Sequence, residues 1–399
     1  MYFTALYSRL LKQKNIAMLL VVLTICSIIS FLLFANVQGP SVKAAASPAS
    51  PAQGRVFTSS TKVPLLQFPE GITSWHGKIY VGAYNVVTPT NSRIFVYNEK
   101  GTLLCQLGGQ PGQELISSGQ LLGLTINRET GDLFANANGT GNVLRIHNPG
   151  CEHATVSIYA TYPGTGGGPE DMAFNKQGTL YDSDSNRGLV YAIPPGGGVA
   201  KLVIGPPSSG APIDDKGLLQ APIAGLTPNG VVFSLDYRTL YIANTYADSV
   251  VAFDVNRKGQ VTGNARIFAQ HLNPDLEEYP TGFDALVQPN TKIGPSASTP
   301  LNGPDGLALD SKGRVWVASN LGDNLTVLDH QGNVVKTYGT SEVTAHGLLN
   351  QPASLTFVGD SVYTTNLSIF TGLAGKPKLP FTVVRFDVGV TGAGGNGNY

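Results

Sequence analysis

The chain has 399 residues, 26 basic and 26 acidic, so its formal net charge is zero and no global field draws it to nucleic acid or an anionic membrane. Charged residues are only 13% of the chain while Gly numbers 48 and Pro 26, a turn-rich composition that suits many short strands better than helices. An all-β class is the first expectation.

At the N-terminus, Arg9, Lys12 and Lys14 precede an uncharged apolar run over 16–35. Residues 1–46 are expected to be a signal peptide or a signal anchor, because the run is long enough to span a bilayer while Ala44-Ala45-Ala46 offers a cleavage site. Both fates stay open at this point. Either way the positive end stays inside and the remainder is exported, outside the cell or membrane-anchored with its folded part outside. Residues 47–54 lie in an Ala/Ser/Pro-rich stretch too poor in apolar side chains to fold and read as a linker.

From Arg55 onward one unit recurs six times: a turn, an apolar strand, a charged or Gly turn, and a strand ending in small polar residues. The copies are FPEGITSWHGKIYVGAY from Phe68, LLGLTINRETGDLFANA from Leu121, GPEDMAFNKQGTLYDSD from Gly168, TPNGVVFSLDYRTLYIANT from Thr227, GPDGLALDSKGRVWVASN from Gly303 and QPASLTFVGDSVYTTN from Gln351. Third strands follow four of them as NVLRIHN, GLVYAIP, SVVAFDV and NLTVLDH, and ARIFAQ and VVKTYG read as outer strands. Four strands per unit make a propeller blade, with insertions over 205–226 and 271–301. After FTVVRFDV no fourth strand follows, while RVFTSSTKV precedes blade one and can complete blade six. The expectation is a single six-bladed β-propeller over 55–390 and a flexible Gly-rich tail over 391–399.

Cys105 and Cys151 are compatible with a disulfide in an oxidising compartment or with two buried thiols. Sequons occur at Asn138, Asn324 and Asn366 and matter only in a host that glycosylates exported proteins.

In a propeller the first strands line the central channel and start from one face, so their leading residues form a ring. The shared phase holds Glu70, Leu122, Glu170, Asn229, Asp305 and Ala353. Crowded carboxylates with no Lys or Arg in phase disfavour one another's ionised state, and a divalent cation resolves the conflict. An oxygen-only donor set suits a hard ion, calcium first, with magnesium, manganese or zinc as alternatives. A lone Pro-Asn-Gly or Pro-Asp-Gly is an ordinary turn. Repetition in phase is what points to a site.

These residues resemble the gluconolactonase, senescence-marker-protein and luciferin-regenerating-enzyme (regucalcin-like) family. The likeness is carried by NGVVFSLDYRTLYIANTYADSVVAFDVNRKGQVTGNARIFA, by PDGLALDSKGRVWVASNLGDNLTVLD and by SLTFVGDSVYTTN. The resemblance implies a six-bladed propeller with a divalent metal in its channel, held by Glu70, Asn229 and Asp305, with Asp305 also catalytic. Two departures are visible: Glu70 is followed by Gly71-Ile72, and blade three has Gly168-Pro169-Glu170 where sugar-lactone members often carry Arg-Pro-Asn. GPEDMAFNKQGTLY instead looks like the strictosidine-synthase-like branch of the fold, so substrate identity is inherited from neither.

The function expected is metal-assisted hydrolysis of a small lactone or ester, with Asp305 activating water. Glu170, Asp182, Asn244, Asn320 and His346 are candidate substrate or second-layer contacts, with Asn136, Asp184 and Asn366 on the same face. His271, in the second insertion, is a further acid or base candidate within reach of the mouth. The competing readings are a non-catalytic exported propeller binding a protein or glycan in the manner of NHL repeats, and a strictosidine-synthase-like enzyme. No nucleic-acid partner is expected, the membrane is met only through the N-terminal segment, and the chain is expected to be a monomer.

Overall fold

The structure, a computed structural model, describes residues 54–84, 93–108, 115, 120–163, 168–205, 219–220, 227–271, 300–339, 348–369 and 380–393. Residues 1–46, the linker up to 53, most of both insertions, His346 and the last six residues lie outside the described residues. No described helix is long and apolar enough to cross a membrane.

Among the described residues six sheets are each built on four antiparallel strands, two of them extended by a short fifth strand, giving the six-bladed propeller that the repeat predicts. First strands are Pro69–Trp75, Leu121–Ile126, Pro169–Phe174, Pro228–Phe233, Pro304–Leu309 and Pro352–Val358. Inner strands such as Val315–Ser319 and Asn324–Leu328 are buried along their whole length, while the outer strand Val334–Tyr338 is mostly exposed. The near-continuous apolar runs of the inner strands therefore pack blade against blade. One cluster joins Val232, Tyr241 and Val250 of blade four to Leu307, Val315 and Val317 of blade five, and similar clusters fill other gaps between blades. Burying such side chains contributes about 1.5 to 3 kcal/mol each, which makes these gaps the core of the molecule.

The ring closes as the sequence predicts: Gly54–Ser59 pairs antiparallel with Thr382–Asp387, from Gly54 opposite Phe386 to Ser59 opposite Thr382. Two short additions were not anticipated. Gly198–Val199 runs parallel to the outer strand of blade two, and Leu219–Gln220 parallel to that of blade three. The C-terminal segment also travels further than expected, because Gly392 bridges to Asp310 and the Ala393 N–H donates to the Leu309 carbonyl at 2.9 Å. Packing thus extends three residues into the stretch expected to be a loose tail.

Cys105 and Cys151 form a disulfide, with Cα atoms 5.5 Å apart, that ties the outer strand of blade one to the turn leading into the outer strand of blade two. Two sequons are closed to modification in the fold. Asn324 and Asn366 are buried and their side chains are engaged with Gly322 and Thr326, and with Leu348 and Thr382; Asn138 alone keeps some exposure.

Candidate active site at the channel mouth

Each first strand shifts register immediately after its leading residue, so all six blades start with a β-bulge. The bulged pairs are Glu70-Gly71, Leu122-Gly123, Glu170-Asp171, Asn229-Gly230, Asp305-Gly306 and Ala353-Ser354. A bulge re-aims side chains, here those of the predicted ring. In four blades the second member is Gly, and the reason is steric. A Cβ would lie 2.1 Å from Leu122 O at Gly71, 2.5 Å from Glu170 O at Gly123, 2.4 Å from Asp305 O at Gly230 and 2.7 Å from Ala353 O at Gly306. Glycine lets successive first strands close around the channel. Blades three and six, on opposite sides, carry Asp171 and Ser354 instead. There a second-strand hydroxyl makes the connection: Ser183 donates to the Asn229 carbonyl at 2.6 Å, and Thr365 to the Glu70 carbonyl.

This arrangement draws Glu70, Glu170, Asp171 and Asp305 into one electrostatic cluster. Burial, then Asp305, Glu170 and Asp171, push the Glu70 carboxyl well above the usual carboxylate range. Asp305 is raised in the same way by burial, Glu170 and Asp171, against which Asn320 and Asn229 hydrogen bonds act. Glu170 is pushed up to about 7, mainly by burial, although Ser185 Oγ donates to its Oε2 at 2.7 Å. Asp171 also reaches about 7 through burial, while its Oδ2 accepts the Val231 N–H at 3.2 Å. Asp182 lies beneath, held by the Asn136 amide at 3.0 Å and beside the Tyr162 hydroxyl, and is raised well above the usual range by burial. Arg187 is committed to Asp184 at 2.7 Å, so it does not neutralise the others.

The predicted residues divide accordingly. Glu70, Glu170 and Asp305 share the mouth, Asn229 lies beside Asp305, and the Asn320 amide donates to Asp305 Oδ2 at 2.9 Å. Asp184, Asn244 and Asn366 close the second strands of their blades, where their side-chain oxygens accept the N–H of Gly168, Thr227 and Asn350 just before the first strands. That spends Asp184 and Asn366 on the fold and leaves only the Asn244 Nδ2 without a hydrogen-bond partner. His271 is half-buried, its backbone N–H on the Asp248 carbonyl, and burial lowers its pKa. Two functional candidates escaped the repeat reading. Asp171 was visible only as the missing Gly of its phase. Tyr84, following the second strand of blade one, has its hydroxyl proton held by burial and by the neighbouring Glu170 and Glu70 carboxylates.

The donor set fits a hard cation in one respect that geometry shows: Glu70 Oε2 and Asp305 Oδ1 are buried with no hydrogen-bond partner. Among the described residues no group of three or more His, Cys, Asp and Glu side chains is gathered tightly enough to hold an ion. The two orphaned carboxylate oxygens are the donors the mouth leaves unengaged. A separate cavity of about 400 Å³, lined by Trp75, His76, Arg128, Val358 and Gly392 among others, opens at the other end of the first strands and shares none of these residues.

A six-bladed propeller with an acidic, amide-flanked channel mouth defines the class. Residues 112–364, more than half of the chain, match the model of the SMP-30/Gluconolactonase/LRE-like region, and the chain belongs to that family. It is similar in fold to a calcium-binding protein, regucalcin, from Agrobacterium tumefaciens, at 15% identity and a TM-score of 0.55 over 86% of this chain and 96% of that one. A gluconolactonase from Xanthomonas campestris gives 18% and 0.52 over 88% and 99%, and a luciferin-regenerating enzyme 14% and 0.54 over 81% and 92%. No curated protein matches the chain.

Proposed function

We propose that the protein is an exported, metal-dependent hydrolase of small lactones or esters. The observation that carries this reading is the pair of buried carboxylate oxygens without hydrogen-bond partners, Glu70 Oε2 and Asp305 Oδ1, at one channel mouth in a chain of the gluconolactonase-like family. Glu70, Asn229 and Asp305 would hold a divalent cation, calcium by preference for flexible oxygen coordination, which would polarise the substrate carbonyl and stabilise the developing oxyanion. Asp305 Oδ1 takes the proton of the attacking water as the water oxygen bonds to the carbonyl carbon. The same proton passes to the leaving oxygen as the carbon–oxygen bond breaks. Asn320 fixes the carboxyl by holding Oδ2, so that Oδ1 stays turned to the reaction. The Cys105–Cys151 disulfide supports an oxidising compartment, and with it export.

The test is calorimetric calcium titration beside a lactone and ester panel, for wild type, Asp305→Ala and Asn229→Ala. The reading expects one calcium site, weakened in both variants, and turnover lost in Asp305→Ala. Equal hydrolysis by wild type and Asp305→Ala would sink the mechanism, and calcium binding without turnover would favour a binding module.

A further inference from the structure

We infer that the substrate carries an ammonium group, which Glu170 receives beside the reacting carbonyl; this rests on the hydrolase reading above. A divalent cation held by Glu70 and Asp305 neutralises two carboxylates, and Glu170, Asp171 and Asp182 remain in the same cluster. Asp171 is turned to the backbone N–H groups of Met172 and Val231, and Asp182 accepts the Asn136 amide on Oδ1 while its Oδ2 is buried without a partner and out of a ligand's reach. Arg187, on the adjoining turn, is held by Asp184. Glu170 has only the neutral Ser185 hydroxyl on Oε2, leaving its charge without a counter-ion.

Exposure then selects which carboxylate a ligand can reach. Glu70 is 4% exposed, Asp171 6%, Asp182 0% and Asp305 6%, whereas Glu170 keeps intermediate exposure, as does Asn229. Glu170 is thus the carboxylate a substrate meets first. A half-buried carboxylate without a counter-ion attracts a cation and rejects an anion, because partial desolvation strengthens both interactions. Ser185 keeps its orientation fixed, which a solvent-exposed acid would lack. The same charge disfavours lactones bearing a carboxylate.

The experiment uses the full chain in mild detergent, saturated with calcium, at pH 8. Calorimetry measures binding of hexylammonium, hexan-1-ol and hexanoate. Hydrolysis is followed in parallel for p-nitrophenyl 6-aminohexanoate and its uncharged heptanoate analogue. Hexylammonium should bind about 10- to 100-fold more tightly than the alcohol, the aminoester should show a similar advantage in kcat/KM, and Glu170→Gln should abolish both ratios while Glu170→Asp retains part. Equal binding of the ammonium and the alcohol, tighter binding of hexanoate, or ratios unchanged in a folded Glu170→Gln would overturn the inference. Ammonium selection without ester turnover would leave it standing while the hydrolase reading falls. Turnover without charge preference would do the reverse.

Discussion

Substituting Asp171 by Asn should stabilise the cation-free protein, and more so at high pH than at low. Asp171 has a folded pKa of about 7 against an ordinary 3.8, because burial disfavours its charge. A raised carboxyl contributes stability that is fully present below pH 3.8 and is lost as the pH climbs through 7. About two of the roughly three units fall between pH 5 and pH 7, so wild type loses about 3 kcal/mol there that the neutral variant keeps. For the roughly 250 described residues, an unfolding entropy of about 0.5 kcal/mol/K converts this into a Tm difference about 6 °C larger at pH 8 than at pH 5. Asn retains an oxygen for the Val231 N–H, so the hydrogen bond is not the variable. Asp248, also raised to about 7, tilts the wild-type curve the same way, and His271 tilts it oppositely below its usual 6.5; both are common to the two proteins and cancel, whereas Glu70, Glu170 and Asp305 lose the Asp171 charge that raises them, which adds to the variant's advantage at high pH. Thermal melts in EDTA at the two pH values check this. An Asn variant whose Tm differs from wild type by the same amount at both would refute the reasoning.

Three further outcomes follow from particular contacts. Gly306→Ala places a Cβ 2.7 Å from Ala353 O and should cost about 1 to 3 kcal/mol in urea unfolding while weakening calcium binding through Asp305, whereas Gly359→Ala, in open space at φ +58, costs about 1 kcal/mol from its backbone conformation alone. Cys105→Ser opens a 46-residue separation and should lower stability by about 4 kcal/mol at most, with kcat unchanged because the bridge joins an outer strand to an outer turn, away from the mouth. Asn320→Ala strips Asp305 Oδ2 of its donor and should lower calcium affinity or kcat by about 10- to 100-fold, while Asn366→Ala, which breaks a fold contact, should lower Tm without that loss.

The fold was legible because each blade repeats one apolar pattern and the chain's ends supply complementary halves of blade six, down to the pairing of Gly54–Ser59 with Thr382–Asp387. The phase also predicted that Glu70, Glu170, Asn229 and Asp305 lead their strands, since a bulge at the same place in every blade aims them alike. Other features depend on distances that a repeat does not encode. Whether Cys105 and Cys151 bond turns on how two blades splay at their outer strands. Asn244 and Asn366 end second strands, and the repeat does not disclose that their oxygens also staple the starts of their own blades. Asp171 left a trace, an acid where four blades have Gly, whose meaning appears only once Ser183 is seen bridging to Asn229 in its place.

The central claim is that a cation at Glu70, Asn229 and Asp305 drives hydrolysis. Its most direct test is the initial rate of ester or lactone cleavage by chelator-stripped protein as calcium is added back in stoichiometric steps. The account predicts no turnover in EDTA and a rate that rises to a plateau at one equivalent. A rate unaffected by EDTA, or a plateau reached without any calcium bound, would contradict it.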